Sequence, residues 1–291
     1  MKPDRQSMET VFKSNPNKDF LRSGYDKAIV KEWFSEAGRP LEYLGLPGPD
    51  MLDIVEWQEF LGRFTAIERG ENEQHLLFLR ANVRDVEHRL YSLYGEFDEI
   101  IRTGRDRYNR APRWPYDLVN LDYYGGLVYQ TLSRPLALQK LIANQDEYKR
   151  SFLLVITQHL RDADLKGEKL SFFDELERRL VRDLGSRGTI AEAMTSFKST
   201  RTPDTARQVA YVNILLRDFG EASHFQVNCR PAIVYSGTGG ARMLHFVTAL
   251  IHSERAYRAV SEQSLIDVVN LGYRELRDAQ LFDVTTVPKI H

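Results

Sequence analysis

Cysteine is almost missing from this chain. Cys229 alone stands among 291 residues, which excludes an internal disulfide framework and a multi-cysteine zinc site and suits a reducing compartment. Net charge is missing too: 40 basic residues against 41 acidic ones leave a formal charge of -1, so no global field attracts nucleic acid or anionic lipid, and either partner needs a local patch. No run approaches the roughly 18 apolar residues of a membrane helix, and Met1 to Lys18 lacks the apolar stretch of a signal peptide. The expectation is a cytoplasmic protein with no membrane partner. Internal repeats and low-complexity segments are lacking, which argues against solenoids and propellers. The seven histidines show no metal-site spacing, so no metal is expected. With 42% hydrophobic and 11% aromatic residues, the chain can bury one large core.

The pattern along the chain alternates. Residues 1–22, with Pro3, Asn15, Pro16 and Asn17, read as a flexible arm. A helix from about Ser23 to Ala37 stops at Gly38. Leu41 to Gly45 reads as a strand, Asp50 to Phe60 as a helix, Arg63 to Glu68 as a second strand and Asn72 to Val86 as a helix. A third strand is expected at Phe97 to Arg102. Tyr116 to Leu121 reads as a buried strand, Leu132 to Asn144 as a helix and Ser151 to Thr157 as a strand buried on both faces. Strand–helix alternation implies a parallel sheet with right-handed crossovers. The charged stretch 166–204, with a helix at about Ser171 to Leu184, reads as a helical insertion. A helix then runs from Thr205 to Phe219. Phe225 to Tyr235 and Arg242 to Ile251 flank Ser236-Gly237-Thr238-Gly239-Gly240 and read as a β-hairpin closing the sheet. Residues 261–291 read as a C-terminal helix and tail. The expected class is α/β, with one sheet domain over residues 23–260.

Two strand ends carry chemistry. The first strand runs into Gly45-Leu46-Pro47-Gly48-Pro49-Asp50, and Glu68 ends the second strand 23 positions after Gly45, close to the ~20 of a nucleotide-binding βαβ unit. There a glycine turn lets the backbone approach the ligand and an acid holds ribose hydroxyls. The competing reading is an ordinary strand-to-helix loop and a solvated acid. Leu121-Asp122-Tyr123-Tyr124-Gly125-Gly126 follows the fourth strand, where open α/β sheets keep their ligands. The alternative is that Asp122 caps a turn over packed tyrosines.

This order of glycine turn, acid after strand two, Asp-aromatic-aromatic-Gly loop after strand four and terminal hairpin resembles the class I S-adenosylmethionine-dependent methyltransferase superfamily, over about residues 25–252. The Asp122 loop is similar to the Asp-Pro-Phe-Gly type of tRNA guanine-N2 methyltransferases and, more distantly, to the Asp-Pro-Pro-Tyr loop of amino methyltransferases. The resemblance implies a Rossmann-like methyltransferase sheet, mostly parallel with a C-terminal antiparallel hairpin and helices on both faces, and S-adenosylmethionine as cofactor. It implies that Gly45, Pro47 and Gly48 lie at the methionine part of the cofactor, that Glu68 holds the ribose, and that Asp106 is the candidate acid for the adenine amino group. Asp122, Tyr123 and Tyr124 would face the methyl acceptor. The sequence departs from the family pattern at Pro47 in the turn and at Tyr123, where those loops carry proline.

An exocyclic amine is a poor nucleophile because its lone pair is delocalised. A carboxylate accepting its N–H bonds favours the more nucleophilic tetrahedral nitrogen, and an aromatic face holds a flat base by stacking. Arg102, Arg105, Arg107, Arg110 and Arg113, interleaved with Tyr108 and Trp114, read either as a nucleic-acid-binding loop or as a solvated loop paired with acids. His159 is a candidate proton acceptor on the same rim, and Cys229 a buried apolar residue. Three functions follow: a methyltransferase acting on an amino nitrogen of a nucleic acid base; a non-catalytic module of the same fold acting as a recognition subunit for a protein partner; and a nicotinamide-dependent oxidoreductase, disfavoured by the missing Gly-x-Gly-x-x-Gly.

Overall fold

The computed structural model describes residues 15–48, 51–69, 84–123, 125–127, 133–160, 204–253 and 271–284. The expected helices over 72–83, 171–184 and 261–270, and the insertion up to residue 203, lie outside them.

Among the described residues ten strands form one sheet: β1 Leu41–Gly45, β2 Leu61–Glu68, β3 Leu90–Tyr94, β4 Leu118–Asp122, β5 Phe152–His159, β6 Phe225–Cys229, β7 Ala232–Ser236, β8 Arg242–His252, β9 Tyr273–Arg277 and β10 Gln280–Val284. Their order is β10-β9-β7-β8-β5-β4-β1-β2-β3, with β6 also on β8. β3, β2, β1, β4 and β5 are all parallel, whereas β8 runs antiparallel to β5 and to β7. The chain leaves β1 toward β2 and β3 and then resumes at β4 on the other side, so the topological switch point lies between β1 and β4.

The helices are α1 Pro16–Phe20, which continues through a π-turn segment Leu21–Asp26 into α2 Lys27–Ala37, then α3 Leu52–Trp57, α4 Phe97–Thr103, α5 Ser133–Glu147 and α6 Asp204–Glu221. They cover both faces. On one, Ile29, Val30, Ile54 and Trp57 pack on Phe64, Leu118 and Val155; on the other, Phe97, Leu138, Leu141 and Leu216 pack on Val119, Leu121 and Leu154. Alternate residues of β4 enter different cores, which is why Leu118 to Leu121 reads as a continuous apolar run broken only by Asn120.

Four readings are corrected. Phe97 to Thr103 is a helix rather than the third strand, because Phe97, Ile100 and Ile101 fall on one helical stripe, with Asp98 and Glu99 in the first turn and Gly104 left-handed at the end. β3 lies before it. Pro16 to Arg22, assigned to the arm, is helical: the Asn15 side chain accepts from the N–H groups of Asn17 and Lys18, and Pro16 takes the first helical position. Phe225 to Tyr235 is two strands parted at Arg230-Pro231, and both lie against successive halves of β8. The C-terminal part adds the β9–β10 hairpin, turning at Asp278-Ala279 with φ values of 49° and 58°. The glycine turn of the expected hairpin is present between β7 and β8, with Gly239 and Gly240 at φ values of 73° and 77°. Among the described residues no helix is long and apolar enough to cross a membrane.

Candidate active site

At the switch point, one face of the sheet carries the polar groups. Glu68 shares this face with Phe64 and Ala66 by the two-residue period of β2, as Asn120 and Asp122 share it with Leu118 on β4. The turn after β1 is tied to β4 by Leu46 N–H donating to Asn120 O at 3.0 Å, and Met51 N–H donates to Gly48 O at 3.2 Å. Gly48 is left-handed, and among the described residues nothing lies within 4 Å of where a Cβ would stand, which leaves its backbone open to a ligand. Gly45 has a different reason to be glycine: a Cβ there would overlap the Tyr43 hydroxyl, which lies across it. Pro47 is half-buried between them.

Glu68 is 9% exposed. Burial pushes its carboxyl up, the negative charge of Asp53 adds to this, and a hydrogen bond from the Gly48 backbone only partly opposes them, leaving a value of about 7. Asp53, on the first turn of α3, accepts from the Tyr43 hydroxyl and from Asn120 Nδ2 at 2.7 Å. Burial, followed by the charge of Asp53, holds the Tyr43 phenol well above its ordinary range. None of these three was a sequence candidate. Asn120 had a signal, a polar side chain in the middle of a buried strand; Asp53 had only its place after the glycine turn.

Asp122 ends β4 with about a third of its side chain exposed and pairs through Oδ2 with Lys18 of α1. The neighbouring strand places Thr157 beside it. Tyr123 turns away: it is 4% exposed, edge-on to Phe97 at 6.0 Å, with Arg134 over its ring at 4.5 Å. Its expected place facing an acceptor is therefore corrected to the core, because odd and even residues after β4 take opposite faces. Tyr124 lies outside the described residues. His159 ends β5, its N–H donating to Gly125 O at 3.2 Å.

Asp106 is also corrected. Its buried carboxylate accepts from the backbones of Tyr94, Tyr108 and Arg110 and from the Arg110 guanidinium. Burial alone would raise its pKa, but the Arg110 side chain and these peptide donors hold it below the ordinary range. A carboxylate so occupied ties the loop to edge strand β3 and is not available to an adenine amino group.

The arginine-rich loop is likewise ordered from within. Arg110 lies 4.9 Å over Tyr94 and Arg113 3.8 Å over Tyr91. Arg105 donates to Asn109 O, and Trp114 stands edge-on to Tyr116 at 5.0 Å. Tyr108 is 60% exposed between Arg107 and Arg110, 5.1 and 5.3 Å from their guanidiniums. This cluster stands at the end of β3, next to Glu68.

No protein-family model and no curated protein matches the chain. Similar solved structures include 1,6-didemethyltoxoflavin-N1-methyltransferase of Burkholderia thailandensis, 14% identical over 85% of this chain and 84% of that one, with a TM-score of 0.44. A putative RNA methyltransferase of Pyrococcus horikoshii is 9% identical over 78% and 81%, with a TM-score of 0.43. Trm5b of Pyrococcus abyssi is 7% identical over 79% and 49%, with a TM-score of 0.42. The fold itself rests on strand order and direction: a parallel β3-β2-β1-β4-β5 sheet with helices on both faces, extended by β8, which is antiparallel to β5 and to β7. This is the Rossmann-like sheet that the methyltransferase resemblance implies.

Proposed function

We propose that this chain is an S-adenosylmethionine-dependent methyltransferase acting on an amino nitrogen of a nucleic acid base. The observation that carries the reading is Glu68: a buried carboxyl at the end of β2, the strand paired with β1, beside the switch point of a parallel sheet. Such a group accepts vicinal hydroxyls, and the open backbone at Gly48 leaves room for a ligand over the turn. The residues present therefore fit the cofactor, with Glu68 at the ribose and the Gly45–Gly48 turn beneath it. When bound, the cofactor supplies an electrophilic methyl group on a sulfonium sulfur.

Asp122 supports the acceptor assignment. Lys18 engages one of its oxygens, and a carboxylate has lone pairs left for an amine N–H. Accepting that bond orients the nitrogen and favours its tetrahedral form, so catalysis comes mainly from orientation. The exposed Tyr108 between two guanidiniums offers a stacking face with phosphate-binding groups beside it, which favours a nucleic acid as the carrier of the base.

Isothermal titration with S-adenosylmethionine tests the donor: heat with wild type and none with Glu68→Ala is expected. Transfer of labelled methyl from the cofactor to RNA or single-stranded DNA, followed by nucleoside mass spectrometry, tests the acceptor. Absence of any N-methylated nucleoside, or full transfer by Asp122→Ala, sinks the acceptor assignment.

A further inference from the structure

Beside Asp122, three buried polar groups from three separate elements are joined in a line. Asp26, the last residue of the π-turn segment, meets Nε2 of His245 on β8 through its Oδ1 at 2.8 Å, and His245 Nδ1 meets Oγ1 of Thr157 on β5 at 2.9 Å. Asp26, His245 and Thr157 are 5%, 3% and 6% exposed, so water competes little for these bonds. The line determines which way the protons point. An ionised carboxylate only accepts, so Nε2 of His245 carries the ring proton and, in the neutral imidazole, Nδ1 is the acceptor. Thr157 therefore gives its one hydroxyl proton to His245. Its oxygen has only lone pairs left for a further partner.

Thr157 lies in register with Asp122 on the adjacent parallel strand, and the ladder continues one step beyond, Tyr123 N–H donating to Thr157 O at 2.8 Å. Both side chains stand on one face, because the N-terminal helical segment reaches both: Lys18 pairs with Asp122, and Asp26 reaches Thr157 through His245. Neighbouring strands run about 4.8 Å apart. A primary amine that donates both N–H groups to oxygens about 2.9 Å away, with about 120° between the bonds, needs acceptors about 5 Å apart. The two spans agree. Asp122 by itself leaves such an amine half-held: Lys18 engages its Oδ2, and Tyr123, the next side chain, is turned into the core.

We propose that Thr157 Oγ1 is the second acceptor for the substrate amine, and that His245 and Asp26 are positioning residues that keep its hydroxyl an acceptor. This rests on the acceptor reading above. With Asp122 on one N–H and Thr157 on the other, the nitrogen lone pair is drawn out of conjugation with the ring. As the N–C bond forms, the donor's S–C bond breaks; the nitrogen, now cationic, sheds one proton to Asp122, and Thr157 keeps its bond to His245. The same pair of acceptors prefers a primary amine. A singly methylated nitrogen has one N–H, so its methyl group meets the Thr157 oxygen and leaves that acceptor unpaired.

The test is transfer of labelled methyl from S-adenosylmethionine to total RNA and to single-stranded DNA, read by nucleoside mass spectrometry, with a thermal melt of each protein. In Thr157→Val, a near-isosteric loss of the hydroxyl, the initial rate falls about tenfold, and the ratio of dimethylated to monomethylated amino nucleoside rises severalfold. Thr157→Ser, which returns the hydroxyl, recovers most of that loss and brings the ratio back. His245→Phe, which takes away the destination of the hydroxyl proton, moves rate and ratio the same way by a smaller factor. A purely structural role lowers melting temperature and rate without moving the ratio. Ring-nitrogen NMR reads the wiring without turnover: the His245 signal, assigned by its loss in His245→Phe, is expected to show Nε2 protonated and Nδ1 bare. A proton on Nδ1, or a Thr157→Val rate and product ratio equal to those of wild type, overturns the inference. Wild type yielding no N-methylated nucleoside overturns the acceptor reading, and this role of Thr157 with it.

Discussion

The two ends of the central strands carry buried carboxylates in opposite circumstances. Before β4, Asp117 is held by both Arg39 nitrogens at 2.9 and 2.7 Å, by Arg150 Nε at 2.8 Å and by the Glu42 N–H at 2.9 Å. At the carboxyl ends, Asp53 is held by a phenol, an amide and a peptide group, and burial with Asp53 beside it raises Glu68 to about 7. The first arrangement joins β1, β4 and β5 and stabilises the sheet. The second costs stability, and perturbed carboxyls of that kind cluster where ligands bind. Within one sheet, what surrounds the acids thus distinguishes the scaffold from the proposed site.

The largest test of this contrast is Asp117→Ala. Removing the carboxylate strands two guanidiniums, and urea unfolding should show a loss of about 3 kcal/mol, the lower end for a broken buried pair because both arginines remain about a third exposed. Cofactor affinity of the folded protein should be unchanged. Glu68→Gln should do the reverse. A raised carboxyl binds its proton more tightly in the folded state, so its contribution to stability is fully present below about pH 4.5 and is lost as pH rises through 7. The neutral variant escapes that loss: at pH 8 it should be more stable than wild type by about 2 kcal/mol, near equal at pH 4, and should give no heat with S-adenosylhomocysteine. Lower stability of Glu68→Gln at pH 8 breaks the comparison.

Asp106→Asn belongs with the scaffold. It weakens the Arg110 pairing that fastens residues 104–116 to β3, and hydrogen exchange should rise in that loop with a stability loss of about 1–2 kcal/mol. Lys18→Ala is the smallest. Its pair with Asp122 is partly exposed, so unfolding should shift by less than about 1 kcal/mol, while methyl transfer, the function proposed for Asp122, should fall with the loss of the cation that orients that carboxylate.

The strands at β1, β2, β4 and β5 were legible because Leu, Val, Ile and Phe runs bounded by glycine and charge have few other ways to be buried. The places of Glu68 at the end of β2 and of Gly48 in the turn after β1 were legible for the same reason, since strand ends can be counted. Phe97 to Thr103 was misread because a short apolar cluster is compatible with either period until its neighbours define the face. The β9–β10 turn carries no Asn-Gly signal, its alanine adopting a left-handed backbone under the pull of strand pairing. Asp106 looked like a ligand acid because spacing does not count donors. Five of them converge on it only after the loop folds back along β3.

Local sequence, then, determined that the chain would alternate strand and helix, turn at its glycines and leave acids at the ends of β2 and β4, because burial and backbone geometry act over a few residues. Which acids would be paired or hydrogen-bonded, and by what, was decided by the assembly of separate elements. Arg39 and Arg150 reach Asp117, Lys18 reaches Asp122, and Tyr43 and Asn120 reach Asp53 only across the assembled sheet. Electrostatic environment is a property of distance in space, and the tertiary structure alone sets those distances.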